Sequence, residues 1–284
     1  MKAPQYRNEQ IASIDSLSRC LAISKASLTR VIANSEQFYS LPNVPIIKPD
    51  GTIREIYRVE NPLKKIQKQI LNQIFHHVDY PDYLQGSITG QEAPRDYISN
   101  AKIHTHKRVL IHEDISNFFS SIKARHVKSM WKYLFRFSDE VATALTKLTT
   151  FGDVVPQGAS TSSYIGNLIF WDKEPLLEYA LRKRGFYYSR YVDDIAISTN
   201  RGVNHKEIAW VRSEVYTMLY SKGVKPNRRK SAVQTNSKRM TVHKLVVNSE
   251  HLTLGRKKLS QLRSEVKRLE QTAQLHPNTI LYQS

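Results

Sequence analysis

The chain has 284 residues with 43 Lys+Arg against 25 Asp+Glu, and its formal net charge of +18 is spread along the whole length rather than confined to a tail. A surplus of this kind selects a polyanionic partner, nucleic acid ahead of a membrane surface, although a non-enzymatic binder would be equally basic. The lone Cys20 excludes an internal disulfide and a cysteine-rich zinc site and fits a reducing cytoplasm; residues 1–7 lack the apolar core of a signal peptide, and no apolar run approaches the roughly 20 residues that span a bilayer.

A 40% hydrophobic content with 15 Tyr, 9 Phe and 3 Trp supports a substantial core, in one elongated unit of two or three subdomains. Residues 9–40 read as helical, with Ile11, Ile14, Leu17, Leu21, Leu28 and Ile32 near helical spacing. Two such helices also match a helix-turn-helix DNA reader, though short helix pairs are common. Asp50-Gly51 between isoleucine-rich runs marks a hairpin. Asn61-Pro62 opens a helix whose Leu63, Ile66, Ile70 and Ile74 share one face, with Lys64, Lys65 and Lys68 on the other. Residues 108–122 read as a strand that delivers Asp114 near its end, followed by a turn into a helix. Residues 126–150 are helical, residues 154–158 break the chain, and another helix runs through Leu168 and Trp171.

Residues 186–198 form two short runs of aromatic and β-branched residues on either side of Asp193 and Asp194, which reads as a hairpin. A helix near 205–222, a basic Pro/Gly-punctuated segment over 223–230 and a strand over 241–248 follow. After Gly255 a basic helix carries Leu259, Leu262, Val266 and Leu269 on one stripe. Strands and helices interleave without a βαβ rhythm, so the fold class is α+β.

Two adjacent anions repel, so Asp193-Asp194 belongs either to an exposed turn or to a cation site. Asp114, which on its own also reads as a helix N-cap, supplies a third carboxylate if its strand lies beside the hairpin. Hard oxygen ligands of this kind suit Mg²⁺, with Mn²⁺ as an alternative, and two such ions support in-line phosphoryl transfer. Because neighbouring strand residues diverge, Asp114 and Asp193 are expected to be the principal ligands and Asp194 the weaker one.

With these residues in order, the chain resembles reverse transcriptases, collinearly from about residue 46 to about residue 250. Asp114 through Phe119 looks like the first metal motif and Tyr191-Val192-Asp193-Asp194 like the second. The resemblance implies a right-hand polymerase: N-terminal helices and fingers over 1–105, a palm over 106–250 with a fingers-side insertion around 152–185, and a short basic thumb over 251–284. It places Lys48 and Arg54 over an incoming triphosphate, Gln157 of Pro156-Gln157-Gly158 against the nucleotide, and Lys230 of Asn227-x-x-Lys230 in support of the site. Phe119 takes the place of the steric gate, where a bulky ring excludes a ribose 2′-OH.

Asn100-Ala101-Lys102-Ile103-His104 further resembles the Asn-Ala-x-x-His signature of retron reverse transcriptases, while the family's second marker, Val-Thr-Gly, is here Val242-His243-Lys244. His104-x-His106 also reads as a metal pair. The length leaves no room for maturase, endonuclease or RNase H-like parts. A retron enzyme copies part of its own structured noncoding RNA from a 2′-OH primer into branched msDNA, uses dNTPs, and serves bacterial anti-phage defence with an effector protein. The resemblance makes Asn100, His104, Lys244, Arg256, Lys257, Arg263 and Lys267 the expected RNA contacts. The alternatives are another short bacterial reverse transcriptase, of diversity-generating or abortive-infection type, and a non-catalytic RNA-binding scaffold.

Overall fold

The computed structural model describes residues 2–42, 46–47, 51, 53–89 and 93–275. Lys48 lies outside the described residues; the backbones of Arg54 and Lys257 are described, but not their side chains. The expected fingers hairpin is present, with Ile46 opposite Arg54 and Ile47 opposite Ile53.

One sheet organises the molecule. Across it run Lys225–Pro226, Val109–Ser116, Asp194–Thr199, Phe186–Tyr191 and Leu84–Gln85, and Ala232–Thr235 also pairs along Val109–Ser116. All neighbours are antiparallel except Leu84–Gln85, which runs parallel to Phe186–Tyr191. Alternation divides Val109–Ser116 between two faces. Val109, Ile111 and Ile115 join the main core, whereas Leu110 joins a smaller cluster with Ala101, Ala196, Met240, Val242 and Val247.

Helices cover the first face: Leu63–Gln73, Asp139–Thr149, Ser162–Leu168, Glu174–Lys183 and His205–Tyr220 all contribute buried side chains to the main core. Leu63, Ile66, Ile70 and Ile74 are buried as a single stripe, as their spacing requires. The second face is covered by Tyr97–Ile103 and by a hairpin of Thr241–Val242 and Leu245–Val246. Beyond it Arg256–Leu275 is a basic helix on which Val266 and Leu269 are exposed.

Several elements depart from the sequence reading. Residues 9–40 hold two helices, Ile14–Cys20 and Lys25–Ala33, broken where Ala22 takes a positive φ of 52°. Both helices pack on Asp139–Thr149 and bury Leu17, Leu28 and Val31 in the main core, which removes them as a free-standing DNA reader. The helical stretch over 126–150 is interrupted between Leu134 and Asp139. The single strand expected over 241–248 is a tight hairpin, because His243 and Lys244 both take positive φ and turn the chain back. Glu174–Lys183, with Pro175 in its first turn, had no counterpart in the sequence reading.

Glu174 opens that helix inside the protein. It receives Nε and Nη2 of Arg190, each at 2.7 Å, and the Tyr188 hydroxyl at 2.6 Å, with the Arg190 and Glu174 side chains 0% and 2% exposed. Replacing one member of such a pair strands a charge in the interior, at a cost of roughly 3–5 kcal/mol. Glu174→Gln is therefore expected to lower unfolding free energy by about that amount in urea titration; a loss no larger than that of an exposed ion pair, such as Lys132–Asp139, would contradict it.

Candidate active site

Tyr191 and Asp194 are paired across a two-residue turn of Val192 and Asp193. Val192 has φ 58°, which is unfavourable for a β-branched residue, and three neighbours hold the turn. Arg190 Nη1 donates to the Val192 carbonyl at 2.8 Å, the Val192 amide donates to the Gln85 carbonyl at 3.3 Å, and the Ile115 amide donates to the Asp193 carbonyl at 3.0 Å. Arg190 also donates to the carbonyls of Gly166 and Asn167, at 3.1 and 2.9 Å.

Strand pairing places Asp194 directly opposite Asp114. Directly opposite residues share a face, so the acid in register with Asp114 is Asp194, with Asp193 in the turn beside it. Alternation led to the expectation that Asp114 and Asp193 are the principal ligands and Asp194 the weaker one; the register pairs Asp114 with Asp194. Asp114 is buried, Asp193 half-buried and Asp194 exposed. Desolvation between the strands, then the charges of Asp193 and Asp114 and a hydrogen bond with Asp114, push the Asp194 carboxyl up to about 7, against a weaker opposing pull from Lys230.

Asp114 is fully engaged within the chain. Lys230 Nζ donates to Oδ1 and Asn227 Nδ2 to Oδ2, both at 2.9 Å, and the Asn227 amide donates to its backbone carbonyl at 2.7 Å. That hydrogen bond raises the Lys230 pKa. On the opposite face of the same strand Glu113, 2% exposed, accepts from Arg212 Nε, Ser231 Oγ and the Tyr216 hydroxyl at 2.8, 2.6 and 3.0 Å. Consecutive residues Lys230 and Ser231 are thus pinned to consecutive acids Asp114 and Glu113. Among the described residues, no three His, Cys, Asp or Glu side chains stand so as to hold one metal ion together. The donor set is nonetheless chemically apt for a hard cation: its members are carboxylates, crowded enough to raise the pKa of Asp194.

Phe118 is buried and Phe119 half-buried, their rings 5.4 Å apart against Gly166, where a Cβ would come within 2.9 Å of Phe118 and 3.3 Å of Phe119. Gln157 is half-buried, and its carbonyl accepts from the Tyr57 amide at 2.7 Å. The following Gly158, at φ 105°, lies so close to the Tyr57 carbonyl that a Cβ would be 2.5 Å from it. The Pro156-Gln157-Gly158 loop is in this way docked on the chain that leaves the fingers hairpin.

The signature residues occupy the second face of the sheet. His104 is 0% exposed, with Nδ1 2.8 Å from Ser198 Oγ and Nε2 2.7 Å from Ser189 Oγ. It clips Tyr97–Ile103 to both strands of the Asp193 hairpin. With both ring nitrogens used and no surface, His104 is neither an RNA contact nor half of a metal pair with His106. Asn100 is 1% exposed and hydrogen-bonded to His243 at 2.7 Å, so it too is corrected from a surface contact to an internal one. Lys244, Arg256, Arg263 and Lys267 are exposed. Arg190 and Glu113 were missed as functional residues, although a charged residue inside an apolar strand run is a readable signal of a buried pair.

Residues 46–264 match the family model of reverse transcriptase (RNA-dependent DNA polymerase). The chain belongs to the reverse transcriptase family. It is 38% identical over 234 residues to the retron Se72 reverse transcriptase of Salmonella heidelberg (strain 579083-10), covering 82% of this chain and 60% of that protein. It is 29% identical over 272 residues to the Escherichia coli retron Ec48 reverse transcriptase, covering 93% and 66%, and 25% identical over 254 residues to the Escherichia coli retron Ec86 reverse transcriptase, covering 89% and 77%. These relatives are retron reverse transcriptases, and the chain spans about 60% and 66% of the length of the first two. Its mixed α+β architecture is that of the right-hand polymerase fold. An overlay on apo telomerase from Candida tropicalis truncated from its C-terminal domain gives a TM-score of 0.47 at 13% identity, over 82% of this chain and 61% of that one. Among the described residues no helix is long and apolar enough to cross a membrane.

Burial holds the His104 pKa down at about 3, and His112, His126, His76 and His243 are shifted the same way. The unfolded chain binds protons at these rings below about pH 6.5, whereas folded His104 does so only near 3. This contribution is complete above pH 6.5 and is lost as pH falls from 6.5 toward 3. Unfolding free energy measured from pH 7 to 4 is expected to decline, with a shallower slope in His104→Gln; identical slopes would show that His104 is not buried as a neutral ring.

Proposed function

We propose that this chain is an RNA-directed DNA polymerase that copies part of its own structured noncoding RNA into branched msDNA from a 2′-OH primer. The observation that supports this reading most directly is the register that brings Asp194 opposite Asp114 with Asp193 in the adjoining turn, inside a match to the reverse transcriptase family. Two Mg²⁺ ions, or Mn²⁺ in their place, would be held by Asp114, Asp193 and Asp194, and would supply activation of the attacking hydroxyl and stabilisation of the leaving pyrophosphate.

The chain's own groups supply the rest. Lys230 and Asn227 orient the Asp114 carboxylate. Arg190 and Gln85 hold the turn in a conformation that Val192 would not adopt alone. Lys48, Arg54 and Gln157 contact the incoming dNTP. Phe119, backed by Phe118 and Gly166, lies beneath its sugar and excludes the 2′-OH. Lys244, Arg256, Lys257, Arg263 and Lys267 meet RNA phosphates, in keeping with the net charge of +18. The setting is the bacterial cytoplasm, in anti-phage defence with an effector protein.

A non-catalytic RNA-binding scaffold is the second reading, and one observation favours it: among the described residues no three His, Cys, Asp or Glu side chains stand so as to hold one metal ion together. Primer extension on a primed RNA template separates the two. The wild type is expected to extend with dNTPs while Asp193→Asn falls to background, whereas a wild type that stays at background with the mutant would establish the scaffold. Phe119→Ala is expected to raise rNTP incorporation relative to dNTP on the order of tenfold or more; unchanged selectivity would remove Phe119 as the gate.

A further inference from the structure

Nothing in the nucleotidyl transfer described above uses His243, yet this residue is folded back onto the catalytic hairpin. It sits at the tip between Thr241–Val242 and Leu245–Val246 at φ 49°, beside an exposed Lys244 at φ 68°. Its own side chain is only 16% exposed. Among the described residues three groups lie closest to the ring, with His112 near enough for its charge to act on it. Asn100 Nδ2 is 2.7 Å from Nε2, the Tyr191 ring centroid is 4.5 Å away, and Nδ1 is 3.9 Å from Asp194 Oδ2.

The chemistry of these groups fixes the proton. An amide NH₂ only donates, so Nε2 accepts from Asn100 and the proton of the neutral ring is carried on Nδ1, the nitrogen that faces Asp194. Asn100 is fixed through its helix, although its own Oδ1 is buried without a hydrogen-bond partner. Its helix is capped by Asp96, whose carboxylate accepts from the Ser99 amide at 2.7 Å, and is clipped to the sheet by His104. Asp194 has two acids for neighbours, and Lys230 is committed to Asp114. Among the described residues no Lys or Arg nitrogen comes within 4 Å of Asp194, and His243 does.

We infer that His243 is a positioning residue for Asp194: Asn100 and the Tyr191 ring hold the imidazole with Nδ1 3.9 Å from the carboxylate, beyond direct hydrogen-bond reach, so that the ring's packing and its polar edge limit the orientations in which Asp194 serves the active centre. The inference rests on Asp194 belonging to that centre. It also gives the Asn-Ala-x-x-His helix one task at each end, with Asn100 acting through His243 on Asp194 and His104 holding the strands on either side of the turn.

The two ring nitrogens can be tested apart, since an asparagine amide stands near the place of Nδ1 and a glutamine amide near that of Nε2. Primer extension would give kcat and KM for dNTP, and Mn²⁺ binding to the protein without nucleic acid would be followed by electron paramagnetic resonance, alongside Tm. His243→Ala is expected to lower kcat and weaken Mn²⁺ binding by about 10–100-fold, with KM for dNTP within about twofold. His243→Asn, which also tolerates positive φ, should restore most of both losses, while His243→Gln should not. Rescue by Gln and not by Asn, or a His243→Ala protein equal to wild type, would overturn the assignment. The Asn and Gln variants carry the test even where Ala lowers Tm. Asp194→Asn separates the two levels: if it is inactive while His243→Ala is unimpaired, only the His243 role fails, whereas full activity of Asp194→Asn removes the active centre on which that role depends.

Discussion

The buried Arg190–Glu174 pair is the constraint on which the rest of the site depends. All five guanidinium bonds stay inside the protein: two reach Glu174, one each reaches Gly166 and Asn167, and one reaches Val192. A single planar group therefore joins the end of one helix, the start of the next and the turn that carries Asp193. Burial opposes the guanidinium's charge, and Glu174 restores it. A non-glycine residue at positive φ costs of order 1–3 kcal/mol and persists only where its surroundings over-determine it. Here those surroundings are Arg190, the Gln85 carbonyl and the Ile115 amide.

The sheet separates support from chemistry by alternation. Ile111, Glu113 and Ile115 face the helices, where Glu113 draws in Arg212, Tyr216 and Ser231. Asp114 lies on the other face with Asp194 opposite it. Because Lys230 adjoins Ser231, the buried anchor on one face determines where the ammonium falls on the other. The two faces are mechanically one unit, with a packed side chain on each side of the same backbone step.

Electrostatics on the chemical face is a balance of crowding. Three acids converge, one cation and one amide attend Asp114, and a largely buried imidazole flanks Asp194. Desolvation and two like charges then leave Asp194 easily protonated. That is a poor arrangement for a purely structural turn and a fitting one for a divalent cation.

The motifs and their order were legible in the sequence because each depends on local chemistry. Asp114 ends an apolar run, Asp193-Asp194 interrupts a β-branched one, and Leu63, Ile66 and Ile70 repeat at helical spacing; family and fold class follow from that order. What the sequence did not carry was register and distant partnership. Whether Asp193 or Asp194 faces Asp114 depends on a one-residue choice in the turn, and a one-residue slip exchanges the faces of a strand. Asn100 and His104 read as RNA contacts because their partners, His243, Ser189 and Ser198, lie from 85 to 143 residues away. His243–Lys244 read as strand because only the positive φ of both residues reveals the hairpin. The sequence by itself determined which groups are present and in what order. Tertiary structure alone decided which of them meet, since burial and hydrogen bonding between remote strands leave no periodic trace along the chain.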